Sequence, residues 1–348
     1  MPREWMPVAS KTVRRHRART EKSEGADRDR EQHAHEEAAR LPGHPENDGE
    51  QPRENRHDDE DPAGGPLKGS GPTHEGRGRA RDARPDGTNP GWLTGYGAYE
   101  VSYDPEFDAL RLPLLRRCVF AIAHVRGGGE MGRAWYEDGK GLAKEHTFTD
   151  FIDVAEWLAS SGWVDPSRLV AEGRSAGGLL MGAVVNKAPD RFRAVLAGVP
   201  FVDALTTILD ASLPLTVGEW QEWGDPITDP AVFAAMRAYT PYENVPEGVA
   251  LPAVMATTSL NDTRVEFVEP AKWVQRLREA TGQVPSTDEA GAGSGPTRDP
   301  CERPIILRTE MVAGHAGPSG REGRWAARCE EFAFALGQVG ALAATMSA

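Results

Sequence analysis

In "RLVAEGRSAGGLLMGAVV", residues 168–185, a serine stands between two glycines where one apolar run ends and another begins. The spacing Gly173-Arg174-Ser175-Ala176-Gly177 is G-x-S-x-G, the pattern of a strand that turns sharply into a helix with a serine hydroxyl projecting from the apex. Side chains two residues before and after would collide as strand and helix close, so glycine recurs there. Such a serine becomes a nucleophile when a base and an orienting acid reach it. The same pattern also occurs in ordinary loops of small residues, so context has to decide.

Where such a turn carries a triad, the acid and the base follow the serine in the chain. Of nine histidines, six lie in the first ninety residues, leaving His124, His146 and His315. Only His315 follows Ser175, in the glycine-rich loop "VAGHAGPSG". The acids between them include Asp190, Asp203, Asp210, Asp225, Asp229 and Asp262. Asp262 alone follows directly on a strand-like apolar run, "AVMATTSLND", which places its carboxylate beside the loop of His315; the others mostly sit in turn or cap contexts. In this reading His315 takes the Ser175 proton, and Asp262 holds the imidazole tautomer and stabilises the imidazolium.

The elements that must position these groups alternate. Patterning predicts strands at 118–125, 168–173, 194–199, 252–259 and 305–311. Helices are predicted at 147–160, 176–187, 270–280 and 321–345, with an irregular helical region over 203–240. Thr147 and Asp150 read as a capping box for the first helix. Apolar strands joined by helices imply a mostly parallel sheet covered on both faces, a three-layer α/β sandwich, and the serine turn with its acid and histidine downstream makes an α/β-hydrolase arrangement the expectation. Function in such sheets sits at the carboxyl ends of the strands. A second glycine turn, "RGGGEMG", satisfies G-x-G-x-x-G through Gly127, Gly129 and Gly132. A dinucleotide site needs a helix opening at once, and "RAWYEDGKGLAKEH" has no helical period, so no nucleotide cofactor is expected.

Composition bounds the rest. Residues 1–88 are dense in Arg, Glu, Asp, His, Pro and Gly with almost no apolar period, and read as a disordered tail holding at most a short helix at 29–40. Residues 89–348 read as one domain with a Gly/Ser/Pro loop insertion at 281–303. The formal charge of −13 falls mainly on that domain, which disfavours nucleic acid and favours cationic ligands. Cys118, Cys301 and Cys329 follow no metal or redox spacing, so no metal is expected and a reducing, cytoplasmic setting is the simplest inference. The Arg-rich start leaves an organelle transit peptide as the lesser alternative, and no run suggests a membrane span.

With these residues in place, "GTNPGWLTGYGAYE", "HVRGGGEMGRAWYEDGK", "GRSAGGLLMGAVVNKAPDRF", "LPLTVGEWQEWGDP", "TSLNDTRVEFVEPAKWV" and "GHAGPSGR" follow one another in an order that resembles the catalytic domain of the prolyl oligopeptidase family, most of all its oligopeptidase B branch. The resemblance covers about 87–280 and 305–340. It implies a serine peptidase that cleaves short peptides after Arg or Lys, without a cofactor. By position it makes Ser175, Asp262 and His315 the triad, and Ala176 and Tyr96 the oxyanion donors. It gives Glu219 the charge of the residue before the scissile bond, Asp104 and Glu106 that of the residue before it, and Arg264 the substrate backbone. The family carries a β-propeller ahead of this domain, whereas residues 1–88 show no blade-like repeat. Arg174 stands where the family has glycine, and Gln221 where it has a second specificity acid, which implies weaker Arg selection. An esterase or acylaminoacyl-peptidase-like hydrolase, and an inactive partner-binding fragment, are the alternatives.

Overall fold

The computed structural model describes residues 83–283 and 302–342, so most of the expected tail, the helix at 29–40, most of the 281–303 loop and Cys301 lie outside the described residues. Six strands form one parallel sheet: β1 (Gly91–Thr94), β2 (Val119–Ile122), β3 (Leu169–Arg174), β4 (Ala194–Gly198), β5 (Ala253–Ser259) and β6 (Ile305–Glu310). Their order is β2-β1-β3-β4-β5-β6, and every neighbouring pair is parallel. Between and after the strands run α1 (Leu112–Leu115), α2 (Arg133–Glu137), α3 (Glu145–Ser160), α4 (Ala176–Lys187), α5 (Ala204–Ile208), α6 (Thr216–Trp223), α7 (Pro230–Tyr239), α8 (Val268–Ala280) and α9 (Arg321–Gln338).

Strand side chains alternate between two cores because successive Cβ atoms point to opposite faces. Leu93, Ala121, Ala171, Val195 and Val254 pack with Phe148 and Phe151 of α3, Leu179 and Leu180 of α4 and Trp273 of α8. Trp92, Phe120, Val170, Leu196 and Met255 pack with Leu114 of α1 and Phe332 and Leu336 of α9. The expected three layers are present, and the chain has the α/β-hydrolase fold.

Several local expectations change. β1 was not predicted: its four residues are all buried, so they show no alternation, and the run is too short to stand out. Helix α3 opens two residues early, and Thr147 lies inside it, buried. Thr147 Oγ1 donates to the Arg126 carbonyl at 2.7 Å, while Asp150 accepts the Arg126 N–H at 2.9 Å and its guanidinium at 2.6 and 2.8 Å. Both side chains secure the glycine turn instead of capping their own helix. A five-residue helix, α2, does open after Gly132, contrary to the sequence reading. The glycines of that turn serve close backbone packing: a Cβ on Gly127, at φ 95°, would meet the Gly97 carbonyl oxygen at 2.3 Å. The region 203–240 resolves into α5, α6 and α7, and α9 ends at Gln338 rather than 345.

Candidate active site

β3 ends at Arg174 and α4 begins at Ala176, leaving Ser175 alone as the turn. Its φ of 58° and ψ of −118° are a strained conformation for a residue with a Cβ. The surroundings over-determine it: the Ser175 N–H donates to the Gly198 carbonyl at 2.8 Å, and its own carbonyl accepts from Gly178, Leu179 and Phe201. At Gly173 the glycine argument holds, since a Cβ there would stand 2.2 Å from the Gly177 carbonyl oxygen; one on Gly177 would instead meet the Gly95 carbonyl oxygen just after β1, at 2.8 Å. Arg174 points away from the elbow and approaches Glu331 of α9 at 3.8 Å.

Asp262 follows the end of β5, and its side chain is fully buried. Oδ1 accepts the backbone N–H groups of Arg264 and Val265 at 2.9 and 3.0 Å, which closes a turn and fixes the carboxylate plane. Oδ2 is then 2.7 Å from His315 Nδ1, in the loop after β6. With Nδ1 so engaged, Nε2 of the neutral ring is free to accept a proton. His315 lines a neighbouring hollow with Ser259, Arg308 and Arg324, and among the described residues no hydrogen bond joins it to Ser175.

Ser175, Ala176, Tyr96, Tyr99, Phe201, Ile208, Glu219 and Arg264 line a hollow of about 510 Å³. The Ala176 N–H, at the first position of α4, has no carbonyl one turn back to bond. The Tyr96 hydroxyl lines the same hollow as Ser175, and burial pushes its pKa up to about 12, so it stays protonated and able to donate at neutral pH. Glu219 is half-buried on α6, where it accepts the indole N–H of Trp223 at 3.1 Å and the hydroxyl of Tyr99. Tyr99 itself has φ 59°, and the glutamate together with burial holds its hydroxyl well above its ordinary pKa. The arrangement can orient a carboxylate toward a cation entering the hollow.

The other expected residues fall elsewhere. Gln221 is exposed and does not line the hollow, because two residues along a helix turn it about 200° from Glu219. Gln221 therefore forms no wall of this hollow. Asp104 and Glu106 are exposed on the segment after Tyr99 and do not line it either. Tyr99, Trp223 and Lys144 were not singled out from the sequence. Trp223 was legible as the i+4 neighbour of Glu219, whereas Tyr99 and Lys144 carry no local signal.

A parallel sheet with a serine elbow after one strand and an acid–histidine pair after two later ones defines the hydrolase class of α/β sheets. Residues 105–341 match the prolyl oligopeptidase family, and the chain belongs to it. It is 44% identical over 261 residues to dipeptidyl aminopeptidase BI of Pseudoxanthomonas mexicana, covering 75% of this chain and 33% of that protein. It is 46% identical over 256 residues to protease 2 of Moraxella lacunata, covering 73% of this chain and 34% of that protein. Oligopeptidase B from Leishmania major superposes with a TM-score of 0.67 at 43% identity, over 76% of this chain and 34% of that one. Oligopeptidase B from Trypanosoma brucei with covalently bound antipain superposes with a TM-score of 0.65 at 43% identity, over 75% and 34%. The chain thus spans about a third of the length of these relatives.

Proposed function

We propose that this chain is a serine-type oligopeptidase acting on short peptides after Arg or Lys, through an acyl-enzyme. The observation that carries the reading is the Asp262–His315 pair, held at the same carboxyl edge of the sheet as the strained Ser175 turn. Ser175 Oγ attacks the scissile carbonyl while His315 Nε2 takes its proton, and the Asp262 carboxylate stabilises the imidazolium. The negative charge that forms on the carbonyl oxygen accepts hydrogen bonds from the Ala176 N–H and the Tyr96 hydroxyl, which together lower the barrier more than they favour the substrate. His315 then gives its proton to the departing amine as the C–N bond breaks, leaving an ester on Ser175. Water attacks that ester by the same route, with His315 again as base.

Glu219 supplies the charge for the basic side chain, and Arg264, exposed at the rim of the hollow, supports the substrate backbone. Asp104 and Glu106 stand on the neighbouring segment for a second basic residue. In this reading residues 89–348 are the peptidase domain, and the cysteine usage favours a cytoplasmic setting. The covalent antipain complex of the Trypanosoma brucei relative supports a nucleophilic route.

The test is covalent. A fluorophosphonate should label the parent chain at Ser175 and leave Ser175→Ala unlabelled, and esters of Arg and Lys should be cut faster than those of Leu or Pro. Labelling that persists in Ser175→Ala removes the elbow from the mechanism. A parent that favours Leu or Pro replaces the basic specificity with the esterase or acylaminoacyl-peptidase reading.

A further inference from the structure

Lys144, at the start of α3, is only 2% exposed, a rare position for an ammonium. Its Nζ donates to the Gly97 carbonyl, lies 3.9 Å from Glu222 Oε1 and stands 5.0 Å from the centre of the Trp223 ring. The contacts fall on two segments that also carry lining residues of the hollow: the loop after β1, which carries Tyr96, and α6, which carries Glu219. Gly97 directly follows Tyr96, and its peptide is wedged so tightly that a Cβ there, at φ 71°, would stand 2.4 Å from Thr147 Cγ2. Trp223 is the residue whose indole N–H donates to Glu219 and to the Tyr99 hydroxyl, both at 3.1 Å. Glu222 shares α6 with Glu219 and accepts the Tyr136 hydroxyl at 2.7 Å, while its Oε1 has no hydrogen-bond partner and faces the ammonium.

Burying this cation is unfavourable unless its partners are fixed, and apolar packing would stabilise the fold at least as well. The contacts it makes point to a positional task. We propose that Lys144 is a positioning residue, whose ammonium ties the Gly97 carbonyl to Trp223 and Glu222 and so fixes the Tyr96 hydroxyl and the Glu219 carboxylate relative to each other. The proposal rests on the peptidase reading above, in which those two groups face the reacting carbonyl and the basic side chain.

Burial pulls the Lys144 pKa down to about 8, with Glu222 opposing the fall. Below that pH the ammonium holds both walls; above it the charge is lost and Glu222 is left buried without a cation. The groups that face this cluster are Tyr136 on α2, Lys140 on the loop after α2, Glu222 on α6, Tyr239 on α7 and Tyr99 on the loop after β1. Burial holds the three phenols above their ordinary values, so they stay neutral through the same range.

The experiment compares kcat/KM for an Arg ester and the matching Leu ester, on the full chain, from neutral to alkaline pH. Their ratio cancels effects common to both substrates, proton transfer through His315 among them. The ratio should hold steady near neutrality and fall about tenfold once the pH is more than a unit above the Lys144 value. Lys144→Met combined with Glu222→Gln removes both charges together, which a buried pair tolerates better than losing one. That variant should label completely at Ser175, yet show a pH-independent Arg/Leu ratio about tenfold lower and a lower kcat on both esters. A flat ratio in the parent overturns the proposal even if the variant fails to fold, as does a folded variant with parental ratio and kcat. A parent that is not labelled at Ser175 fails the peptidase reading itself, and this proposal falls with it.

Discussion

Asp262 Oδ2 lies 2.7 Å from His315 Nδ1, although the two residues are 53 positions apart and leave different strands. β5 and β6 are parallel neighbours with Ser259 opposite Glu310, so the loops that follow them emerge side by side. The Arg264 and Val265 amides fix the carboxylate before the histidine meets it, which leaves the imidazole as the adjustable member.

Asp262→Asn should therefore lower kcat by about 10³–10⁴-fold while leaving the near-ultraviolet circular dichroism unchanged. The amide retains the two backbone contacts through its oxygen but presents N–H to Nδ1, which selects the wrong tautomer. Glu310→Gln, a change outside the pair, is the control. A variant with near-parental kcat would assign the orienting role to another acid.

Glu219 and Gln221 share one helix but not one face. Glu219→Gln should reduce the Arg-over-Leu ratio by at least about tenfold, since a charge-assisted hydrogen bond contributes roughly 1.5–3 kcal/mol. Gln221→Glu should change it by less than about threefold, because an exposed charge outside the hollow acts only through screened solvent. Steady-state kinetics on the paired esters distinguishes them. Equal effects would mean that the helix presents both side chains to the substrate.

A second carboxyl behind the hollow governs stability. Glu269 is buried on α8 and accepts from the Asp203 N–H at 2.9 Å and from Thr207 Oγ1 at 2.7 Å, while Lys272 pairs with Asp203. Burial pushes its pKa up to about 7, from an ordinary value of 4.5. Because the folded value is the higher one, the folded chain keeps a proton that the unfolded chain releases. The resulting stability is present at low pH and lost as the pH rises from 4.5 through 7. Urea unfolding of the parent should lose up to about 1.4 kcal/mol per pH unit over that window, and Glu269→Gln should lose less. Parallel losses in the two would place the titration elsewhere.

What the sequence determined by itself was local. The spacing of Gly173 and Gly177 about Ser175 encodes a steric requirement that is local at Gly173, where a Cβ would stand 2.2 Å from the Gly177 carbonyl oxygen, whereas at Gly177 it comes from the distant Gly95 carbonyl. The alternation of apolar runs gave five of the six strands, and the position of His315 after the last of them marked it as the base. Tertiary structure decided what depends on approach across the fold. β1 is a strand because β2 and β3 flank it, Thr147 and Asp150 turn to the Arg126 loop because that loop packs on α3, and Lys144 is buried because Gly97 and Trp223 close over it. Glu219 faces the hollow and Gln221 solvent because α6 is anchored by buried Glu222 and Trp223, and that anchoring sets a helical rotation which spacing alone leaves open.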